Sequence, residues 1–283
     1  MDTSSFLEET VAFTQELVRV NSPSCQEGEI AKIIFQKMRE LKYDTVNKDS
    51  WGNIIGICKG KYPGPVILFD GHMDVVPAEN PDDWVDNPFS GNIRNDKIWG
   101  RGTVDMKGPL ASAIIAIGHL PKEEIYGTLI VSASCAEELI EGLALAPILK
   151  DMRPNFVVIC EPSDCRIGIG QKGRAGIWLK VFGQSAHSAQ PFLGDNAIYN
   201  AINVIEKIRS MKMPAHEQLG NGILELIDGI SSPYPSRSTV PNLFLMHFDR
   251  RILPEETMES VMNDIKRTLV MFLNGILDTT RSQ

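Results

Sequence analysis

The sequence predicts an α/β chain, with a mainly parallel sheet first and a smaller α+β unit after it. Three observations carry this. Helical stripes and short apolar runs alternate as far as Gly170, the pattern of strands joined by helical crossovers. A histidine and several acidic residues recur at the ends of those runs, where open α/β sheets hold ligands. Beyond Gly170 the order becomes strand, helix, strand, strand, helix, which is a split βαβ unit lacking its last strand.

Taken in order, residues 6–20 carry Phe6, Leu7, Val11, Phe13, Leu17 and Val18 at helical spacing, and residues 29–41 repeat it with Ile30, Ile33, Ile34, Met38 and Leu41. Asn21-Ser22-Pro23-Ser24 between them is a loop. Strands are predicted near residues 45–46 and over 53–59, and Tyr62-Pro63-Gly64-Pro65 reads as a turn. The apolar run 66–69 is a buried strand ending at Gly71. Residues 78–90, rich in Pro, Asp and Asn, form a loop. A helix over 109–120, a strand over 128–132, a helix over 143–150 and a strand over 156–159 follow. The second unit then supplies a strand over 175–182, a helix over 196–211, strands over 223–230 and 243–248, and a helix over 258–273. The domains are placed at 1–173 and 174–283, with no internal repeat or low-complexity linker.

A chain of 283 residues is long enough for two ordinary domains. A net charge of −8 argues against a nucleic-acid or anionic-membrane partner. No apolar run approaches the ~20 residues of a membrane span, and the polar start Met1-Asp2-Thr3-Ser4-Ser5 is not a signal peptide. The five cysteines are odd in number and form no C-x-x-C pair, as expected of reduced thiols in a cytoplasmic protein.

The chemistry starts at Gly71-His72-Met73-Asp74. In an extended chain residues i and i+2 share a face, so Asp74 can hold the His72 ring in one tautomer while its other nitrogen binds a metal. A pair that is merely hydrogen bonded is the alternative. Asp105 lies in a glycine-rich turn before an apolar helix, and Glu137-Glu138 and Glu161 follow strands. Each alone reads equally as a loop residue or helix cap, and Glu137-Glu138 as a helix first turn favoured by the dipole. Their recurrence at successive strand ends is what points to a site. Thiolate ligation by Cys160 or Cys165 fits poorly beside these hard donors.

Gly71-His72-Met73-Asp74-Val75-Val76-Pro77, then Gly100-Arg101-Gly102 with Asp105-Met106-Lys107-Gly108, then Glu137-Glu138 and Glu161-Pro162, resemble in type and order the M20 metallopeptidase family. That family includes acetylornithine deacetylase, succinyl-diaminopimelate desuccinylase and carboxypeptidase G2. Glu137-Glu138 followed by Gly142, and Asp249-Arg250-Arg251, resemble its YgeY-like hydrolases. The resemblance implies a metallohydrolase catalytic domain with an inserted α+β ferredoxin-like lid domain, through which two copies dimerise. It implies two divalent ions, zinc first with manganese or cobalt as substitutes, held by His72, Asp105, Glu138 and Glu161 with Asp105 bridging. It implies Glu137 as the general base, Asp74 as the partner of His72, and Asp105-Met106 as a cis peptide. It implies that His187, in Gly183-Gln184-Ser185-Ala186-His187-Ser188, reaches a partner subunit's active site as an oxyanion donor; a surface loop histidine is the other reading. Arg251 would fork onto a substrate carboxylate or else form a surface salt bridge. Ser238 stands where many of the family carry an asparagine that contacts substrate. Trp84 and Pro88-Phe89 resemble the family's loop beside the active site, or simply anchor a long loop.

M20 chains run on beyond this length, so both domains are expected to be incomplete at the C-terminus. His119, His216 and His247 do not match the family's last histidine ligand. The expected function is hydrolysis of an amide bond in an N-acyl amino acid or small peptide by a metal-bridged water. The rivals are an inactive fragment that folds and dimerises through its lid, and a metal-dependent hydrolase of another bond.

Overall fold

The computed structural model describes residues 3–280, with side chains over 4–80 and 82–270. They fall into two compact units divided between Arg166 and Ile167.

The first unit opens with helices α1 (Thr3–Val18) and α2 (Gly28–Glu40), then strands β1 (Thr45–Lys48), β2 (Ile54–Lys59) and β3 (Tyr62–His72). A small hairpin, β4 (Asn92–Arg94) and β5 (Lys97–Trp99), precedes helix α3 (Gly108–His119). Strand β6 (Tyr126–Ser134), helices α4 (Glu137–Ile140) and α5 (Ala146–Met152), and strand β7 (Phe156–Ile159) complete it. The sheet order is β1-β2-β6-β3-β7. Pairings of β3 with β6 and β7 are parallel, whereas β1–β2 and β2–β6 are antiparallel, so the sheet is mixed rather than mainly parallel. The cause is local. Asp49 Oδ1 accepts the N–H groups of Trp51, Gly52 and Asn53 at 2.9, 3.0 and 2.9 Å. This turn is too short for the crossover that a parallel β1–β2 pair would need.

The predicted turn at Tyr62-Pro63-Gly64-Pro65 is instead the start of β3, with a register shift against β6 between Tyr62 and Val66. Tyr62 stacks on Tyr126 at 4.9 Å between ring centroids. The pairing with β7 covers only Ile67 to Asp70, so no β7 ladder bond is lost at Pro63 or Pro65. The two backbones approach closely there. A Cβ on Gly127, whose φ is +93°, would lie 2.0 Å from the Pro65 carbonyl oxygen. Gly127→Ala is therefore expected to lose more than about 1 kcal/mol of stability, measured by chemical denaturation.

Successive residues of a strand face opposite ways, and the sheet is covered on both sides. Phe13, Leu17, Ile30, Ile34, Met38, Leu110 and Ile114 pack on one face. Leu68, Ile130 and Ile55 meet Leu145 and Ile148 at α5 on the other.

The second unit holds β8 (Gly173–Phe182), helix α6 (Ala197–Arg209), a two-stranded pair β9 (Ala215–His216) and β10 (Gly220–Asn221), β11 (Ile223–Ser232), β12 (Leu243–Ile252) and helix α7 (Met258–Thr280). Asn196 caps α6, its Oδ1 accepting Ile198 N–H at 2.9 Å. Strands β11, β12 and β8 form an antiparallel sheet in that order. Its core joins Ile177, Met246 and Phe248 to Ala201 and Ile208 of α6 and Val261 and Ile265 of α7.

Candidate metal centre

Parallel pairing brings the carboxyl ends of β3, β6 and β7 to one edge of the first unit. The register sets His72 opposite Ser134, three residues before Glu137. It sets Asp70 opposite Ile159, so two further steps place Glu161 beside His72. Asp105 arrives from the turn Thr103–Lys107, which leads into α3, and the Asp105-Met106 peptide is cis.

His72 is 1% exposed. Its Nδ1 lies 2.9 Å from the backbone carbonyl of Asp74. A carbonyl oxygen only accepts, so Nδ1 carries the proton and the neutral ring offers its lone pair at Nε2. That nitrogen faces Asp105 Oδ1 at 3.0 Å, Glu161 Oε1 at 3.6 Å and Glu137 Oε2 at 3.9 Å. The ligand atoms of His72, Asp105 and Glu161 all lie within 4.8 Å of one another.

A lone pair ringed by carboxylates needs a cation. Burial disfavours the charged ring, yet Asp74, Glu161 and Glu137 outweigh it and push His72 up to about 10. Burial, with Asp105, Glu137 and Glu138 close by and only His72 opposing, pushes Glu161 up to about 7. Glu138 is raised by burial and then by Asp105. Glu137 is raised by burial and by Glu138 and Asp74, with His72 opposing. Each acid thus resists the others' charge, an arrangement that a divalent ion relieves. The donor set of one imidazole and several carboxylates suits such an ion.

Asp74 has a second job beside the one its spacing suggested. The bond to Nδ1 comes from its carbonyl, while its carboxylate Oδ1 stands 3.6 Å from the ring. The fully buried carboxylate accepts Ser24 Oγ–H at 2.7 Å, Glu137 N–H at 3.0 Å and Glu138 N–H at 3.1 Å. Burial alone would raise its pKa, but His72, Ser24 and the Glu137 N–H together hold it below the usual carboxylate range. One side chain thereby pins the start of α4 beside the histidine.

Several supports escaped the sequence. Glu27 Oε1 accepts Cys25 N–H at 3.0 Å and Ala136 N–H at 2.8 Å. Asn53 Oδ1 accepts Cys135 N–H at 2.9 Å, and its Nδ2 donates to Ala144 O at the same distance. Loop 21–24, read simply as a connection, places Ser22 Oγ on Met73 O at 2.8 Å and Ser24 on Asp74. Fully buried Lys107 donates to Val20 O at 2.7 Å, and burial pushes it down to about 8. All but the Cys25–Glu27 bond join residues far apart in the chain, so no local pattern announces them.

The remaining expected site residues lie in the second unit. Exposed His187 makes an isolated bridge with Thr239. Its Nδ1 accepts Ala189 N–H at 3.1 Å, which leaves the proton of the neutral ring on Nε2. Arg251 Nε pairs with Asp249 Oδ1 at 2.8 Å, and Arg174 Nε takes the other oxygen at 2.6 Å. The other histidines are engaged elsewhere. His119 pairs with Glu9 at 2.6 Å, His216 with Glu255 at 3.4 Å, and His247 stacks on Trp178 at 4.0 Å.

Comparison with known proteins relates the chain to a family. A profile described as Peptidase family M20/M25/M40 matches residues 68–173, and one described as Peptidase dimerisation domain matches 169–270. The chain is 34% identical over 261 residues to the uncharacterized protein YgeY of Escherichia coli K12, covering 90% of this chain and 64% of that one. The chain thus spans just under two thirds of that relative. It is 27% identical over 285 residues to succinyl-diaminopimelate desuccinylase of Blochmanniella floridana, covering 93% of this chain and 74% of the relative. Among solved structures, the dipeptidase Dug1p of Saccharomyces cerevisiae superposes with a TM-score of 0.75 at 15% identity, over 96% of this chain and 75% of that chain, a likeness of fold.

Proposed function

This chain belongs to peptidase family M20/M25/M40, and we propose that it is a metal-dependent hydrolase cleaving the amide bond of an N-acyl amino acid or small peptide. The observation that carries this reading is the meeting of His72, Asp105 and Glu161 around a ring nitrogen whose lone pair is set by the Asp74 carbonyl. The names of the desuccinylase and dipeptidase relatives support an amide as the bond cleaved.

In this reading His72, Asp105 and Glu161 would hold one divalent ion, and Glu138 with Asp105 would hold a second. Zinc is the first choice and manganese or cobalt the substitutes. Ions bound there would supply Lewis acidity, polarising the scissile carbonyl and lowering the pKa of a water towards ~7. Glu137 takes the proton of the attacking water and returns it to the leaving amine. Its raised pKa brings it closer to the range that suits that exchange. Asp74 keeps the Glu137 and Glu138 backbone and the His72 ring in place. His187, with its proton on Nε2, donates to the developing oxyanion in the partner subunit's site, and Arg251 receives a substrate carboxylate. The second unit mediates a homodimer, in keeping with its dimerisation-domain match.

The test is metal content together with turnover. Zinc at a hundred times its dissociation constant is expected to stabilise the chain by ~2.7 kcal/mol, seen as a raised unfolding midpoint that EDTA reverses. A panel of N-acyl amino acids and matched esters should show faster cleavage of the amides. No zinc-dependent stabilisation, or esterase activity alone, would overturn the reading.

A further inference from the structure

The turn that carries Glu137 is held by side chains from distant segments, one backbone amide after another. Cys135 N–H donates to Asn53 Oδ1 at 2.9 Å and Ala136 N–H to Glu27 Oε1 at 2.8 Å. The Glu137 and Glu138 N–H groups then donate to the Asp74 carboxylate at 3.0 and 3.1 Å. Asn53 and Asp74 are fully buried, and Glu27 is 7% exposed. The chain bends sharply within this run. Ala136 has φ +54° and ψ +27°, the left-handed region that a residue with a Cβ seldom occupies. Alanine stays there only where its surroundings hold it.

Glu27 supplies the bond at the bend itself. It stands at the start of α2, yet its side chain makes no capping bond to that helix. Its Oε1 takes Cys25 N–H at 3.0 Å and reaches Ala136, 109 residues further on. Burying a carboxylate is costly unless donors meet it, and here the donors are those two amides. The bonds to Asp74 begin only after the bend, so they do not fix its direction. The residue after Ala136 brings Glu137 Oε2 to 3.9 Å from His72 Nε2. Unwinding Ala136 would swing that carboxylate, and a misplacement of about 1 Å costs on the order of 10²-fold in rate. Resting on the hydrolase reading above, we propose that Glu27 is a positioning residue for the general base: by holding the Ala136 amide it fixes the left-handed turn that sets the Glu137 carboxylate beside His72.

The experiment uses the full chain. Ala136 is the one alanine that follows a cysteine, so 15N-alanine with 13C-carbonyl cysteine isolates its amide in NMR spectra of the metal-free protein. In Glu27→Ala that amide should exchange with solvent at least about tenfold faster, measured against the other alanine amides, as loss of a bond to a charged acceptor allows. Glu27→Gln keeps an acceptor oxygen and should restore most of the protection. With zinc, Glu27→Ala should lower kcat per bound metal by up to about 10²-fold, with KM near that of the parent, and Glu27→Gln should recover most of the loss. In the Glu137→Ala background, Glu27→Ala should lower the residual rate no further, because it acts through the carboxylate already removed. Losses that multiply in the double variant would overturn the proposal and leave Glu27 a support of the fold alone. So would unchanged exchange at Ala136, or zinc lost in step with kcat, which would tie Glu27 to Glu138 instead. A parent that turns over and a Glu27→Ala variant that matches it would sink this proposal alone. A parent that cleaves no amide would sink the hydrolase reading and the role of Glu27 in it, while the exchange rates would still report whether Glu27 holds the turn.

Discussion

Glu137→Ala is expected to lower kcat for amide hydrolysis by about 10²–10⁴-fold, the range that a positioned general base contributes, while zinc content stays unchanged. The two halves of this result separate because Glu137 does two jobs with different atoms. Its backbone N–H helps hold Asp74 at 3.0 Å, and alanine keeps that bond. Its carboxylate, 3.9 Å from His72 Nε2 and outside the group formed by His72, Asp105 and Glu161, is what alanine removes. Metal analysis after dialysis and steady-state kinetics on one N-acyl amino acid check both halves. An unchanged kcat would remove Glu137 from the role of base, and a loss of zinc would make it a ligand.

Asp74→Ala should have the largest effect on the folded state. Its carboxylate accepts three hydrogen bonds within the protein and stands beside a buried histidine. Removing it orphans the Glu137 and Glu138 N–H groups and the Ser24 hydroxyl, and takes away the buried carboxylate 3.6 Å from His72 Nδ1. Breaking one partner out of a buried charged pair costs about 3–5 kcal/mol, and loss of a group that orients a ligand weakens metal affinity about 10–100-fold. Asp74→Asn should fall between, since its amide oxygen accepts but its NH₂ opposes a backbone N–H. Thermal unfolding and chelator competition measure the two effects. A variant that melts like the original and binds zinc equally well would show that the Asp74 carbonyl alone holds His72.

The sequence was most legible where burial is periodic. The apolar stripe of residues 29–41 became α2 with Ile30, Ile34 and Met38 buried, and the strand, helix, strand, strand, helix order of the second unit stands, its three long strands paired antiparallel, with the short pair β9–β10 added before β11. It was least legible where bonding partners are distant. Tyr62-Pro63-Gly64-Pro65 has the composition of a turn, yet it opens β3, passing close to Gly127 and pairing with β6. The spacing of His72 and Asp74 pointed to a carboxylate beside the ring; what it left out is that the Asp74 carbonyl lies closer, at 2.9 Å, and that the carboxylate also takes the first N–H of α4. Glu27 and Asn53 gave no local sign of their roles, since each acts on a turn that lies over eighty residues further along the chain.

Residue order by itself determined the alternation of elements and the kind of donor waiting at each strand end, because hydrophobic periodicity and side-chain chemistry are properties of short segments. Tertiary structure alone decided that β6 enters between β2 and β3, that His72, Asp105 and Glu161 share one small volume, and which atom of Asp74 faces the ring. Those outcomes depend on packing and register between segments remote in the chain, and a one-residue slip of β3 would turn His72 to the opposite face.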